Sequence, residues 1–99
     1  MSDGSFRPPS RLAEQSLEEL CRRLSERTPT PGGGSASAAT GAMGSALGEM
    51  VLRYSQTTEP PDPEIQGAIA ELAALRIALL RAVDDDSEAF ERLRTARKV

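Results

Sequence analysis

The run from Gly32 to Tyr54 limits what the chain can become, because it is built of glycine, alanine, serine and methionine with little polar surface before Glu49 and Arg53. Such a composition is helical. Each glycine nevertheless costs about 0.8 to 1 kcal/mol relative to alanine inside a helix, so Gly41, Gly44 and Gly48 must be offset by packing. Ser37, Gly41, Gly44 and Gly48 follow one another at four, three and four residues, which puts them on one stripe with Gly44 and Gly48 in GxxxG spacing. A bare stripe lets another backbone come close. Beside it Ala39, Ala42, Met43, Ala46, Leu47, Met50, Val51 and Tyr54 form an apolar stripe. The expectation is a helix buried at the centre of a bundle and serving also as a subunit interface.

The flanking segments predict two more helices. Ser16-Leu17-Glu18-Glu19 has the spacing of a capping box, and Leu17, Leu20, Cys21 and Leu24 then recur on one face, where Cys21 reads as a small packed hydrophobe. Thr28-Pro29-Thr30-Pro31 ends that helix. After the break at 57–61, Asp62 and Pro63 make an N-cap and first-turn pair for a long third helix. Its stripe of Ile65, Ile69, Leu72, Leu79, Val83, Phe90 and Leu93 is interrupted where the step falls on Arg76 and Asp86. No segment alternates as a strand would. The fold class is therefore all-α, a helical bundle with a buried Gly/Ala-rich central helix and a long third helix, and it is expected to be dimeric. Residues 1–15, with Pro8 and Pro9 and no apolar period, read as a flexible N-terminal arm ahead of a helical domain over 16–99.

Composition removes several kinds of chemistry. The 99 residues contain no His and one Cys, which leaves no Ser-His-Asp or Cys-His catalysis, no zinc knuckle and no internal disulfide, and no metal site is assigned. With 12 Lys and Arg against 15 Asp and Glu, the formal net charge of -3 opposes nucleic-acid binding. Arg92, Arg94, Arg97 and Lys98 are explained by the C-terminal end of a helix dipole. No stretch approaches a membrane span, Met1-Ser2-Asp3-Gly4 does not open a signal peptide, and the lone thiol fits a reducing compartment, so a cytoplasmic location is expected.

Two features carry chemistry. Pro29-Thr30-Pro31-Gly32-Gly33-Gly34-Ser35 leads into a helix N-terminus, where uncovered N–H groups and the helix dipole favour an anion or a polar ligand edge. It lacks the Gly-Lys-Ser/Thr ending of a P-loop and the preceding strand of a Rossmann turn. The alternative is a tight turn with Ser35 as N-cap. The second feature is the acidic run Asp84-Asp85-Asp86-Ser87-Glu88, in which Asp85 can pair with Arg81. Asp86 shares the stripe of Leu79 and Leu93, so its carboxylate should point to the apolar side. Burial there without a cation would favour the neutral form, as a general acid requires, whereas Arg76 or Arg53 could instead satisfy it structurally.

These residues also carry a resemblance. The segments 29–36, 41–51 and Asp86-Ser87-Glu88-Ala89-Phe90, together with the opening Ser16-Leu17-Glu18-Glu19-Leu20, resemble the formiminotransferase-cyclodeaminase and methenyltetrahydrofolate cyclohydrolase family over about residues 16 to 95. The resemblance implies an all-helical, dimeric folate enzyme with a tetrahydrofolate derivative as substrate and no tightly bound cofactor. In the family, cyclodeaminases convert 5-formiminotetrahydrofolate to 5,10-methenyltetrahydrofolate and ammonia, and cyclohydrolases open the methenyl bridge with water. It further implies Asp86 as the acid that protonates the departing nitrogen or activates water, Asp84 as a second candidate, and Pro31, Gly32, Gly33, Gly34 and Ser35 as the wall that meets the pterin or folate. Members commonly carry a Gly-Lys-Lys stretch where this chain has Ser55-Gln56-Thr57-Thr58, and their domain continues into further helices, which implies a domain truncated at its C-terminus. The alternative is a non-catalytic helical dimerisation or folate-binding remnant of that family.

Overall fold

The computed structural model describes residues 11–97, which form a short 3₁₀ turn and three helices with no strand among the described residues. The turn is Leu12–Glu14, α1 is Leu17–Leu24, α2 is Gly33–Ser55 and α3 is Pro63–Arg97. Helix starts follow their sequence signals. The Ser16 hydroxyl accepts the Glu19 N–H at 3.0 Å, while the Glu19 carboxylate pairs with Arg22 at 2.6 Å and so serves only half of the anticipated capping box. Asp62 accepts the Glu64 N–H at 2.9 Å and opens α3 with Pro63 in its first turn. The Gln56 side chain takes the Asp62 N–H at 2.8 Å and closes the connection between α2 and α3.

α2 and α3 form an antiparallel hairpin that supplies most of the tertiary packing. The α2 residues facing α3 are small, Ser35, Ala38, Ala42 and Ser45 with Glu49 at the end, stepping alternately by three and four. That spacing makes a helix seam. Into it α3 inserts leucines at glycine notches: Leu79 lies where a side chain on Gly41 would stand, 3.1 Å from such a Cβ, and Leu72 does the same at Gly48, at 2.9 Å. The offset of the glycine cost is therefore real but differs from the sequence expectation. Gly44, assigned to the same stripe, has open space at its Cβ position, and Gly34 joins the series instead. The core proper contains Leu12, Ala38 and Val83, with Leu20, Ala39 and Ala82 packed on it.

Three further expectations are corrected. α2 is not buried on all sides: Met43, Leu47, Met50, Val51 and Tyr54 are exposed, Tyr54 by 80%, because the seam uses the small face and turns the large side chains outward. Cys21 is exposed, because α1 buries none of its residues and reaches the core mainly through Leu20. Within the arm anticipated over 1–15, residues 1–10 lie outside the described residues, whereas Leu12 is buried and Leu12–Glu14 turn against α3. A carboxylate on α3 fastens that turn. Among the described residues no helix is long and apolar enough to cross a membrane.

Candidate functional site

The glycine loop delivers its residues to the first turn of α2. Gly32 is the N-cap and Gly33, Gly34 and Ser35 begin the helix, so the reading of Ser35 as N-cap does not hold. Ser35 is 1% exposed and points across the seam, where its hydroxyl donates to the Val83 carbonyl at 2.5 Å and lies 3.0 Å from the Ser87 hydroxyl. Pro31 is buried before it. Thr30 donates to Glu91 at 2.5 Å, and Glu91 also meets Arg94 at 3.4 Å. The loop is thus tied to α3 on both sides of the triple glycine.

The acidic run separates into different duties. Asp84, half-buried, accepts the N–H groups of Leu12 and Ala13 at 2.6 and 3.2 Å, so both its oxygens are used in holding the 3₁₀ turn. This engagement weakens its candidacy as a second acid. Asp86 behaves differently. Its carboxylate lies over Gly34, in the space a Cβ there would fill, and has no hydrogen bond or ion pair among the described residues. It is exposed, not turned into the apolar side as its stripe predicts. The stripe is correct, but at this level α2 presents a bare first turn instead of a wall, which leaves the carboxylate in contact with solvent. Neither Arg76 nor Arg53 satisfies it, since both turn to Glu49. Among the described residues, no group of acidic or sulfur ligands gathers that could hold a metal ion.

Glu49 was missed as a buried group. It is 2% exposed and receives Arg76 Nε at 2.6 Å and Nη2 at 3.4 Å, with Arg53 Nη2 at 3.6 Å. The hydrogen bond from Arg76 is the main reason its carboxyl titrates below its usual 4.5, against an opposing desolvation. The signal was present in the sequence: Arg76 is one of two interruptions of the α3 stripe. An acid that titrates lower when folded contributes stability above its unfolded value and loses it as the pH falls through the folded one. Thermal midpoints of the parent chain should therefore drop steeply on acidification below about 4.5. Those of Glu49→Gln should start lower at neutral pH and flatten over the acid range. Parallel curves for the two proteins would remove the ion pair from the account of acid lability.

The clefts beside this end are separate from the acid. One of about 310 Å³ lies between Arg11, Glu14, Ile77, Leu80 and Arg81, and an apolar one of about 160 Å³ lies between Leu12, Leu17, Leu20, Met43 and Val83. Asp86 and Gly34 line neither.

Comparison with known proteins gives the arrangement a context. The family model described as formiminotransferase-cyclodeaminase matches residues 16–99. The chain is 35% identical over 95 residues to a formimidoyltransferase-cyclodeaminase of Sus scrofa, covering 93% of this chain and 18% of that protein. It is 32% identical over 80 residues to a methenyltetrahydrofolate cyclohydrolase of Methylorubrum extorquens, covering 78% of this chain and 38% of that protein. A formimidoyltransferase-cyclodeaminase of Rattus norvegicus is 34% identical over 86 residues, 84% of this chain and 16% of that protein. The chain thus spans well under half the length of these relatives. No solved structure matches. With α1, the glycine loop, the seam and the acidic turn all inside the matched residues, the chain belongs to the formiminotransferase-cyclodeaminase family.

Proposed function

We propose that the chain is, or is part of, a folate one-carbon enzyme acting on the bridge between N5 and N10, as a formiminotetrahydrofolate cyclodeaminase or a methenyltetrahydrofolate cyclohydrolase. The observation that supports this reading is the pairing of a solvent-reachable acid, Asp86, which has no hydrogen bond or ion pair among the described residues, with the bare first turn of α2 at Gly34. In ring closure with ammonia loss, the acid protonates the departing nitrogen. In bridge hydrolysis, the carboxylate takes a proton from the attacking water. Gly33 leaves room for a flat ring edge beside the carboxylate seated on Gly34, and the positive end of the α2 dipole favours its electron-rich atoms. Pro31, Gly32 and Ser35 hold that wall in place rather than lining it openly, since Pro31 and Ser35 are buried and Gly32 is half-buried.

The cradle is open to solvent, so it contributes one side of a pocket large enough for a folate. A second copy, docked on the outward stripe from Met43 to Tyr54, or further helices of a longer chain would supply the rest. A homodimer in the cytoplasm, with the folate as its small-molecule partner and no tightly bound cofactor, completes the reading. The alternative, a non-catalytic dimerisation or folate-binding remnant, is favoured by the same exposed stripe.

Calorimetric titration with 5-formyltetrahydrofolate, a stable substitute for the formimino substrate, tests the proposal. A Cβ on Gly33 would meet nothing within 4 Å, so Gly33→Val places its side chain in the space left for a ligand, and a thermal melt checks that the variant is folded. The expected result is binding by the parent chain and at least tenfold weaker binding, about 1.4 kcal/mol, by a normally folded Gly33→Val. A folded parent chain that binds no reduced folate would favour the dimerisation reading.

A further inference from the structure

We infer that Gly34 is a positioning residue for Asp86, setting where the carboxylate stands against α2; the inference rests on the reading of Asp86 as the acid. Gly48, Gly41 and Gly34 are spaced by seven residues on α2, and Leu72, Leu79 and Asp86 are spaced by seven on α3. Antiparallel pairing brings them together in that order, each α3 side chain lying in the notch left by a missing Cβ. Two of the three notches hold the end of a leucine. The third holds a carboxylate, so the register that packs the hairpin also delivers the acid.

Gly34 therefore does more than leave space for a ligand, because that space is already taken by Asp86. A Cβ there would overlap both carboxylate oxygens and their carbon, more severely than at either leucine notch. The short Asp86 side chain can relieve the overlap by swinging away from the first turn of α2. It would then remain exposed but stand in the wrong place for a substrate lying along that turn. Gly44 provides the matched comparison: it sits on the same helix, with nothing within 4 Å of its Cβ position.

The test compares Gly34→Ala with Gly44→Ala in the full chain, following the Asp86 side-chain carboxyl carbon by NMR at one fixed pH, assigned through Asp86→Asn, alongside steady-state kinetics. Both substitutions favour helix, and a thermal melt of each variant separates a displaced carboxylate from a loss of fold. In Gly34→Ala the Asp86 resonance should move, and kcat should fall about tenfold to a hundredfold with KM changed by less than about twofold. Gly44→Ala should leave all of these at parent values. An unmoved Asp86 resonance in Gly34→Ala overturns the inference, as does a moved resonance with parent-level kcat. A resonance that moves in Gly34→Ala, together with a parent chain that turns over no folate substrate, keeps the seat and overturns instead the reading of Asp86 as the acid.

Discussion

Asp86→Asn is expected to lower turnover about 10²- to 10⁴-fold, the range over which a positioned acid or base contributes. The substitution keeps the shape of the side chain and removes its proton chemistry. Asp86 makes no hydrogen bond or ion pair among the described residues and is exposed, so stability should change by no more than about 0.5 kcal/mol, as at other surface positions. Asp84→Asn gives the opposite profile. Its oxygens hold the Leu12 and Ala13 N–H groups, and one of those bonds is weakened when an amide replaces a carboxylate, so the 3₁₀ turn loosens. Kinetics and thermal melts on both variants separate the two acids. Full turnover by Asp86→Asn would dismiss it as the acid, and loss of fold would show that its place in the seam is structural.

The largest loss of stability is expected from Val83→Asn. Val83 is 1% exposed and lies between Leu12 and Ala38 at the point where the Ser35 hydroxyl reaches its carbonyl. Removing a buried valine forfeits about 1.5 to 3 kcal/mol of apolar burial. An amide buried without partners adds about 1 to 3 kcal/mol. The combined loss of about 2.5 to 6 kcal/mol is a large part of the roughly 5 to 15 kcal/mol that holds a domain together. Urea unfolding should show a far lower midpoint with little change in slope. A loss under about 1 kcal/mol would mean that the seam admits water beside Val83.

Much of this fold is legible in the sequence because its signals are local. The Ser16 cap, the prolines before Gly32 and the Asp62-Pro63 pair act within a few residues, and each marks a helix boundary where expected. The pairing of α2 with α3 is harder to read. Several stripes of α2 are apolar enough to face a neighbour, and choosing among them depends on which positions of α3 are large. Periodicity within one helix therefore nominated Gly44, whereas matching the seven-residue spacing of Leu72, Leu79 and Asp86 selects Gly34, Gly41 and Gly48. The same comparison explains both interruptions of the α3 stripe. Arg76 meets Glu49, and Asp86 meets the glycine turn.

The candidate site was legible by residue type more than by environment. The glycine loop and Asp86 are adjacent, but the acid is exposed where its stripe placed it on the apolar side. Burial depends on what the opposite helix presents at that level, and a first turn of glycines presents almost nothing. Ser35 shows the converse, since a residue with a good capping side chain is drawn across the seam by the Val83 carbonyl and Ser87.

The order of the notches has a consequence for how the hairpin closes. The chain between partners is shortest for Gly48 and Leu72, longer for Gly41 and Leu79, and longest for Gly34 and Asp86, so closing them costs progressively more chain entropy. The end that costs the most chain entropy to close is also the end that holds the buried cluster of Leu12, Ala38 and Val83. The long-range polar bonds gathered there, from Asp84 to the 3₁₀ turn, from Ser35 to Val83 and from Thr30 to Glu91, act with that cluster as a latch that offsets the entropy.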